Sequence, residues 1–91
     1  MRYSFDSAKQ VSNLKKHGLD MADASQVIES GQTVTFEDRR FGYDEERFVT
    51  LGPLRDMLVV IVTAETIDHI RIISMRKANR HEQALYRENL G

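Results

Sequence analysis

The run Met57-Leu58-Val59-Val60-Ile61-Val62-Thr63-Ala64 is apolar without polar alternation and rich in β-branched residues. A strand of this composition has no side suited to water, so it belongs at the centre of a sheet covered on both faces. Glu65-Thr66 is a short polar break, after which Ile67 to Met75 partly alternates, and the two halves predict a hairpin. Strict alternation puts Ile70 and Ile72 with Ser74 on one face, and His69 and Arg71 with Ile73 on the other. Arg76 and Lys77 follow at the exit. Arg71 and Arg76 are five positions apart, so alternation sends them to opposite faces unless the strand ends, bulges or twists between them.

Upstream, Arg2 to Phe5 predicts a short first strand. Asp6 is suited to cap a helix that carries Ala8, Val11 and Leu14 on one stripe and closes in Lys15-Lys16-His17-Gly18. Asp20 caps a second short helix, with Met21, Ala24, Val27 and Ile28 at helical spacing and Gly31 as its stop. Neither helix is long enough to persist alone, so both are expected to dock on the hairpin. Gln32 to Phe36 predicts a weak edge strand and Glu37 to Asp44 a turn-rich loop around Gly42. Glu45 to Leu51 predicts a strand with Arg47, Val49 and Leu51 on one face, ended by Gly52-Pro53. Downstream, Asn79 with Glu82 three residues later is a capping box opening a polar last helix through Glu88. This order predicts one α+β domain over residues 1–91, with a compact antiparallel sheet. The two short N-terminal helices lie on one face, a C-terminal helix ends the chain, and the other face is partly free.

The totals bound the function loosely. Hydrophobic residues make up 41% and charged residues 30% of the 91 residues, as in an ordinary globular domain. The absence of cysteine and of an apolar run near 20 residues argues for a cytoplasmic protein without disulfides or membrane contact. The net charge of -1 gives no global pull toward nucleic acid, although local basic clusters remain open to it.

The three histidines, His17, His69 and His81, lack the spacing of a metal site, and no Gly-rich phosphate loop or nucleophile elbow is present, so neither metal nor cofactor is expected. RNA cleavage demands less of a protein, because the substrate brings its own nucleophile in the 2′-OH. Side chains need only stabilise the developing charge, take one proton and return one. Arg47, Arg71 and Arg76 fall on adjacent predicted strands and suit a phosphate. The plainer reading makes them ion-pair partners of Glu37, Asp44, Glu45 and Glu46. It also makes His17 a helix-terminal cation, His69 an exposed turn residue and His81 a residue without a role.

Several pieces, in order and spacing, resemble the BrnT toxins, the ribonuclease component of type II toxin–antitoxin systems. They are Phe5-Asp6 with Ala8-Lys9, Asn13-Leu14-Lys15-Lys16-His17-Gly18, Ala24 through Ile28, and Glu45-Glu46-Arg47-Phe48-Val49-Thr50-Leu51-Gly52. Ile70-Arg71-Ile72-Ile73-Ser74-Met75-Arg76-Lys77-Ala78 follows, then Glu82 and Tyr86. The resemblance implies a RelE-like fold and metal-independent RNA cleavage that slows translation and growth. It also implies a BrnA-like antitoxin in a two-plus-two complex that meets operator DNA only through the antitoxin. By resemblance, Arg71, Arg76, His17 and Lys16 become candidate catalytic residues, and Arg47 and Lys77 candidate substrate-binding ones. A catalytically inactive partner and co-repressor, and a ParE-like protein acting on gyrase, are the alternatives from other classes.

Overall fold

The computed structural model describes residues 2–39 and 45–90. The elements run β1 (Arg2–Phe5), α1 (Ser7–His17), a 3-10 turn (Met21–Asp23), α2 (Ala24–Ile28), β2 (Val34–Asp38), β3 (Glu46–Leu54), β4 (Met57–Glu65), β5 (His69–Lys77) and α3 (Arg80–Leu90). Much of the loop predicted over Glu37 to Asp44, with Gly42 and Asp44, lies outside the described residues.

β4 is the third of five strands in the order β1-β5-β4-β3-β2. Its residues Val59, Val60, Ile61, Thr63 and Ala64 are all buried, as double-sided cover requires. On one face Val59 and Ile61 join Leu54, Ile70, Ile72 and Met75 under Leu19, Met21, Ala24 and Val27 of the N-terminal helical layer. On the other, Val60 joins Leu51 and Ala78 under Leu85 and Tyr86 of α3. α3 takes the part of this second face around Leu51, Val60 and Ala78, while Arg47 and Arg71 farther along it stay 27% and 38% exposed, so the face is partly free as expected.

The sheet is mixed, not antiparallel throughout. β1 runs parallel to β5, pairing Arg2 with His69 and Phe5 with Ile72, while the other strand pairs are antiparallel. A parallel pair needs a long crossover, and here the whole segment from α1 to β4 provides it. β3 also runs three residues past its predicted end, through Gly52 and Pro53 to Leu54. β2 pairs only with Arg47 to Leu51, so beyond Leu51 that side of β3 has no strand neighbour and tolerates a residue without an N–H. Gly52 is where α2 presses in, since a Cβ there would stand 2.6 Å from Val27 Cγ1.

The helix termini form where the sequence puts them. The Asp6 carboxylate accepts from the amides of Ala8 and Lys9 at 2.8 and 3.1 Å. Gly18, at φ 68°, donates to Leu14 O at 2.9 Å. The Asp20 cap also forms, accepting from Ala22 N at 2.9 Å, but its helix is split into the 3-10 turn and α2. The predicted apolar stripe of α1 does not dock: Val11 is 56% and Leu14 43% exposed, and Asn13 is the buried residue of this helix. β1 pairs only as far as Ile72, so the later edge of β5 offers unpaired amides that demand a polar partner. Asn13 Oδ1 accepts from Met75 N at 3.1 Å, and its Nδ2 donates to Leu19 O at 3.0 Å.

α3 is fastened by a reciprocal cap. Glu82 Oε1 accepts from Asn79 N at 2.9 Å, and Asn79 Oδ1 accepts from Glu82 N at 2.8 Å. The same carboxylate accepts two hydrogen bonds from Arg76, at 2.8 and 2.6 Å. Tyr86 adds a bond from its hydroxyl to Gln32 O at 2.6 Å.

Two predictions follow from these contacts. Asn13→Ala leaves the Met75 amide and the Leu19 carbonyl without their partner and should cost about 2–4 kcal/mol in urea unfolding; a loss below about 0.5 kcal/mol would mean that neither bond matters. The Arg76 guanidinium, first, holds the Glu82 carboxyl below its ordinary value of 4.5, so this pair stabilises the fold above that pH and its contribution fades as pH falls further. Glu82→Gln keeps the cap but not the charge, so the stability gap between wild type and this variant should narrow on acidification below about 4.5. A gap independent of pH would contradict it.

Candidate functional site

The conflict between Arg71 and Arg76 is resolved by one extra residue. In the β4–β5 ladder Val62 pairs with Ser74 and Thr63 with Ile72, leaving Ile73 as a bulge. The phase of β5 shifts there, so Met75 rejoins the core face of Ile70 and Ile72, and Ser74 and Arg76 fall on the face of Arg71. Arg71 and Arg47 stand on either side of Ala64 in one transverse row that ends at Ser4. Arg76 pairs with Val60, four residues along β4, roughly 13 Å away at strand spacing.

All three arginines are engaged. Arg71 donates to Glu45 Oε1, which also lies 3.8 Å from Arg47 Nη2. Arg76 is held in the two-bond pair with Glu82, which raises its pKa and fixes α3. The plainer reading as ion-pair partners thus describes Arg47 and Arg71, held by Glu45; Arg76 is paired as well, but with Glu82, a carboxylate that reading did not include. Beside Arg71, the His69 ring and the Ser4 hydroxyl are 2.7 Å apart across the β1–β5 pair.

His17 and Lys16 lie elsewhere. With Lys9, Ser12 and Asn13 of α1 and Ile73 and Ser74 of the bulge they line a hollow of about 150 Å³ at the edge of β5 beyond its pairing with β1. Arg47, Arg71 and Arg76 are not among its walls. α1 carries no acidic residue, and among the described residues Lys9, Lys16 and His17 have no ion-pair partner. The hollow therefore combines three uncommitted basic side chains with two hydroxyls, a lining suited to an oxyanion. Lys9, Ser12 and Ser74 were missed in the sequence. The spacing of Lys9, Ser12 and Lys16 at i, i+3 and i+7 is a legible signal of one helix face; Ser74 gave none, because its position depends on the bulge. Lys77 lies at the end of β5 and lines a separate cleft against α3.

Among the described residues, no three histidine, aspartate or glutamate side chains gather as metal ligands, and no helix is long and apolar enough to cross a membrane.

No curated protein matches the chain. The family model for BrnT, the ribonuclease toxin of type II toxin–antitoxin systems, matches residues 5–82, a span from the end of β1 into the first turn of α3 that takes in the hollow, the bulge and the Arg76–Glu82 pair. The chain belongs to the BrnT family of ribonuclease toxins.

Proposed function

We propose that this protein is a metal-independent endoribonuclease that acts in the hollow between α1 and β5, inhibits translation and growth, and is neutralised by a BrnA-like antitoxin. The observation that carries the reading is the set of uncommitted basic side chains, Lys9, Lys16 and His17, gathered around the Ser12 and Ser74 hydroxyls. A phosphodiester seated there would meet positive charge that, among the described residues, no carboxylate already neutralises.

In this scheme the ribose 2′-oxygen attacks the adjacent phosphorus, and the bond from phosphorus to the 5′-oxygen breaks. The products are a 2′,3′-cyclic phosphate and a 5′-hydroxyl. His17 takes the 2′-OH proton, Lys16 returns a proton to the leaving oxygen, and Lys9 balances charge on the non-bridging oxygens. Arg71 and Arg47, on the sheet face and half-buried beside Glu45, suit a neighbouring phosphate that displaces that carboxylate. Arg76 serves by holding α3 through Glu82, a positioning role instead of a chemical one. The complex with antitoxin is the two-plus-two assembly, with operator DNA bound by the antitoxin.

Induced expression of the chain alone should degrade RNA and arrest growth. His17→Ala and Lys16→Ala should each slow cleavage of a defined RNA by about 10²–10⁴-fold, the usual weight of a proton-transfer group. Both residues are exposed, so thermal melting should be unchanged. Folded protein that leaves RNA intact would sink the ribonuclease reading and favour an inactive co-repressor. A double variant that still cleaves at the wild-type rate would remove the hollow from the mechanism.

A further inference from the structure

A larger cleft opens at the far end of β5, between α3 and the β3–β4 turn. It holds about 360 Å³, against about 150 Å³ for the hollow. Met57 and Leu58 supply apolar walls, Lys77 and Arg87 two cations, and Tyr86 and Gln83 an aromatic ring and an amide. Among the described residues neither Lys77 nor Arg87 has an ion-pair partner, and Asp56 is the one carboxylate in the lining.

Tyr86 is set differently from an ordinary surface aromatic. Its ring packs against the Leu51–Val60–Ala78 cluster and also lines the cleft. Its hydroxyl is fixed by the 2.6 Å bond to Gln32 O. A ring backed by core and pinned at its tip is a platform that loses little freedom when a flat ligand lies on it. Gln83, also in the lining, is held by its Nε2 donating to Ala78 O at 3.3 Å.

The cleft and the hollow share a strand. Ser74 lines one and Lys77 the other, three residues apart on β5, which is about 10 Å at strand spacing. Three positions of regular pairing turn the two side chains to opposite faces, so single-stranded RNA that joins the sites passes around the edge of β5.

We infer that the α3 cleft is a second RNA subsite, which takes an unpaired nucleotide beside the one cleaved, its base on Tyr86 and its phosphate between Lys77 and Arg87. This rests on the ribonuclease reading and extends it to substrate class: unpaired RNA, engaged at more than the scissile phosphate. Stacking tolerates any base, so the subsite supplies affinity and register more than sequence choice.

The test uses the full chain and an RNA oligonucleotide methylated at every 2′-oxygen, which binds without being cleaved. Fluorescence anisotropy reads affinity across a salt series, and 2-aminopurine in the RNA reads stacking. Lys77→Ala/Arg87→Ala should weaken binding about tenfold and flatten the slope of log affinity against log salt by about 0.7, the value for one lost phosphate contact on a single strand. Quenching of 2-aminopurine should persist in Tyr86→Phe and disappear in Tyr86→Leu, with circular dichroism and melting recorded for each. Unchanged affinity and slope in the double variant overturn the subsite. If Lys16→Ala/His17→Ala still abolishes cleavage in that case, the ribonuclease reading survives without it. If the double variant binds RNA normally but loses affinity for an antitoxin, the cleft serves a protein partner and the inference fails.

Discussion

β4 has no face that can be given to water, and the architecture follows from that constraint. Val59 and Ile61 point into one layer and Val60 into the other, each almost fully buried. Each such side chain contributes about 1.5–3 kcal/mol when covered. A single helical layer would forfeit half of this, so the chain covers the sheet twice, with α1 and α2 on one side and α3 on the other. α3 is polar and brings mainly Leu85 and Tyr86 to its contact. Directional bonds make up the difference: the Asn79–Glu82 cap, the Arg76–Glu82 pair and the Tyr86 hydroxyl.

The bulge at Ile73 couples this packing to the candidate site. Without it, keeping Ile70 and Ile72 in the core would expose Met75 and turn Arg76 away from Glu82. With it, β5 serves the core on both sides of the irregularity, and Arg76 reaches α3. The same place lies past the end of β1, where the edge of β5 is free of strand partners. α1 covers that edge through Asn13, and the hollow forms around the joint. Fold closure and the candidate site thus meet in one short segment, Ile73 to Met75.

The basic side chains divide by whether a carboxylate already holds them. Arg71 and Arg76 sit with Glu45 and Glu82, in geometries that give the sheet and α3 their polar fastening. Lys9, Lys16 and His17 at the hollow, and Lys77 and Arg87 at the cleft, have no such partner among the described residues. Half-exposed ion pairs contribute modestly to stability, whereas an unpartnered cation keeps its full attraction for a phosphate. A net charge of -1 hides this division, because it averages committed and uncommitted groups.

Signals carried by neighbouring residues were legible directly. Asp6, Gly18, Asp20 and the Asn79–Glu82 box act within three or four positions, so the sequence alone marks those helix ends. The unbroken apolar run of β4 announces a central strand, and the order of short motifs indicates the family. Even the bulge left a trace in the spacing of Ile70, Ile72 and Met75, which skips a step. What the sequence could not decide depends on partners far away in the chain. Asn13 goes inward, and the Ala8–Val11–Leu14 stripe outward, because Met75, 62 positions later, presents an unpaired amide. Arg71 is held by a glutamate 26 residues before it, and β3 passes through Pro53 because β2 stops short. Periodicity reports which residues an element turns the same way; only the packed sheet settles which side is inside and which cations are left free.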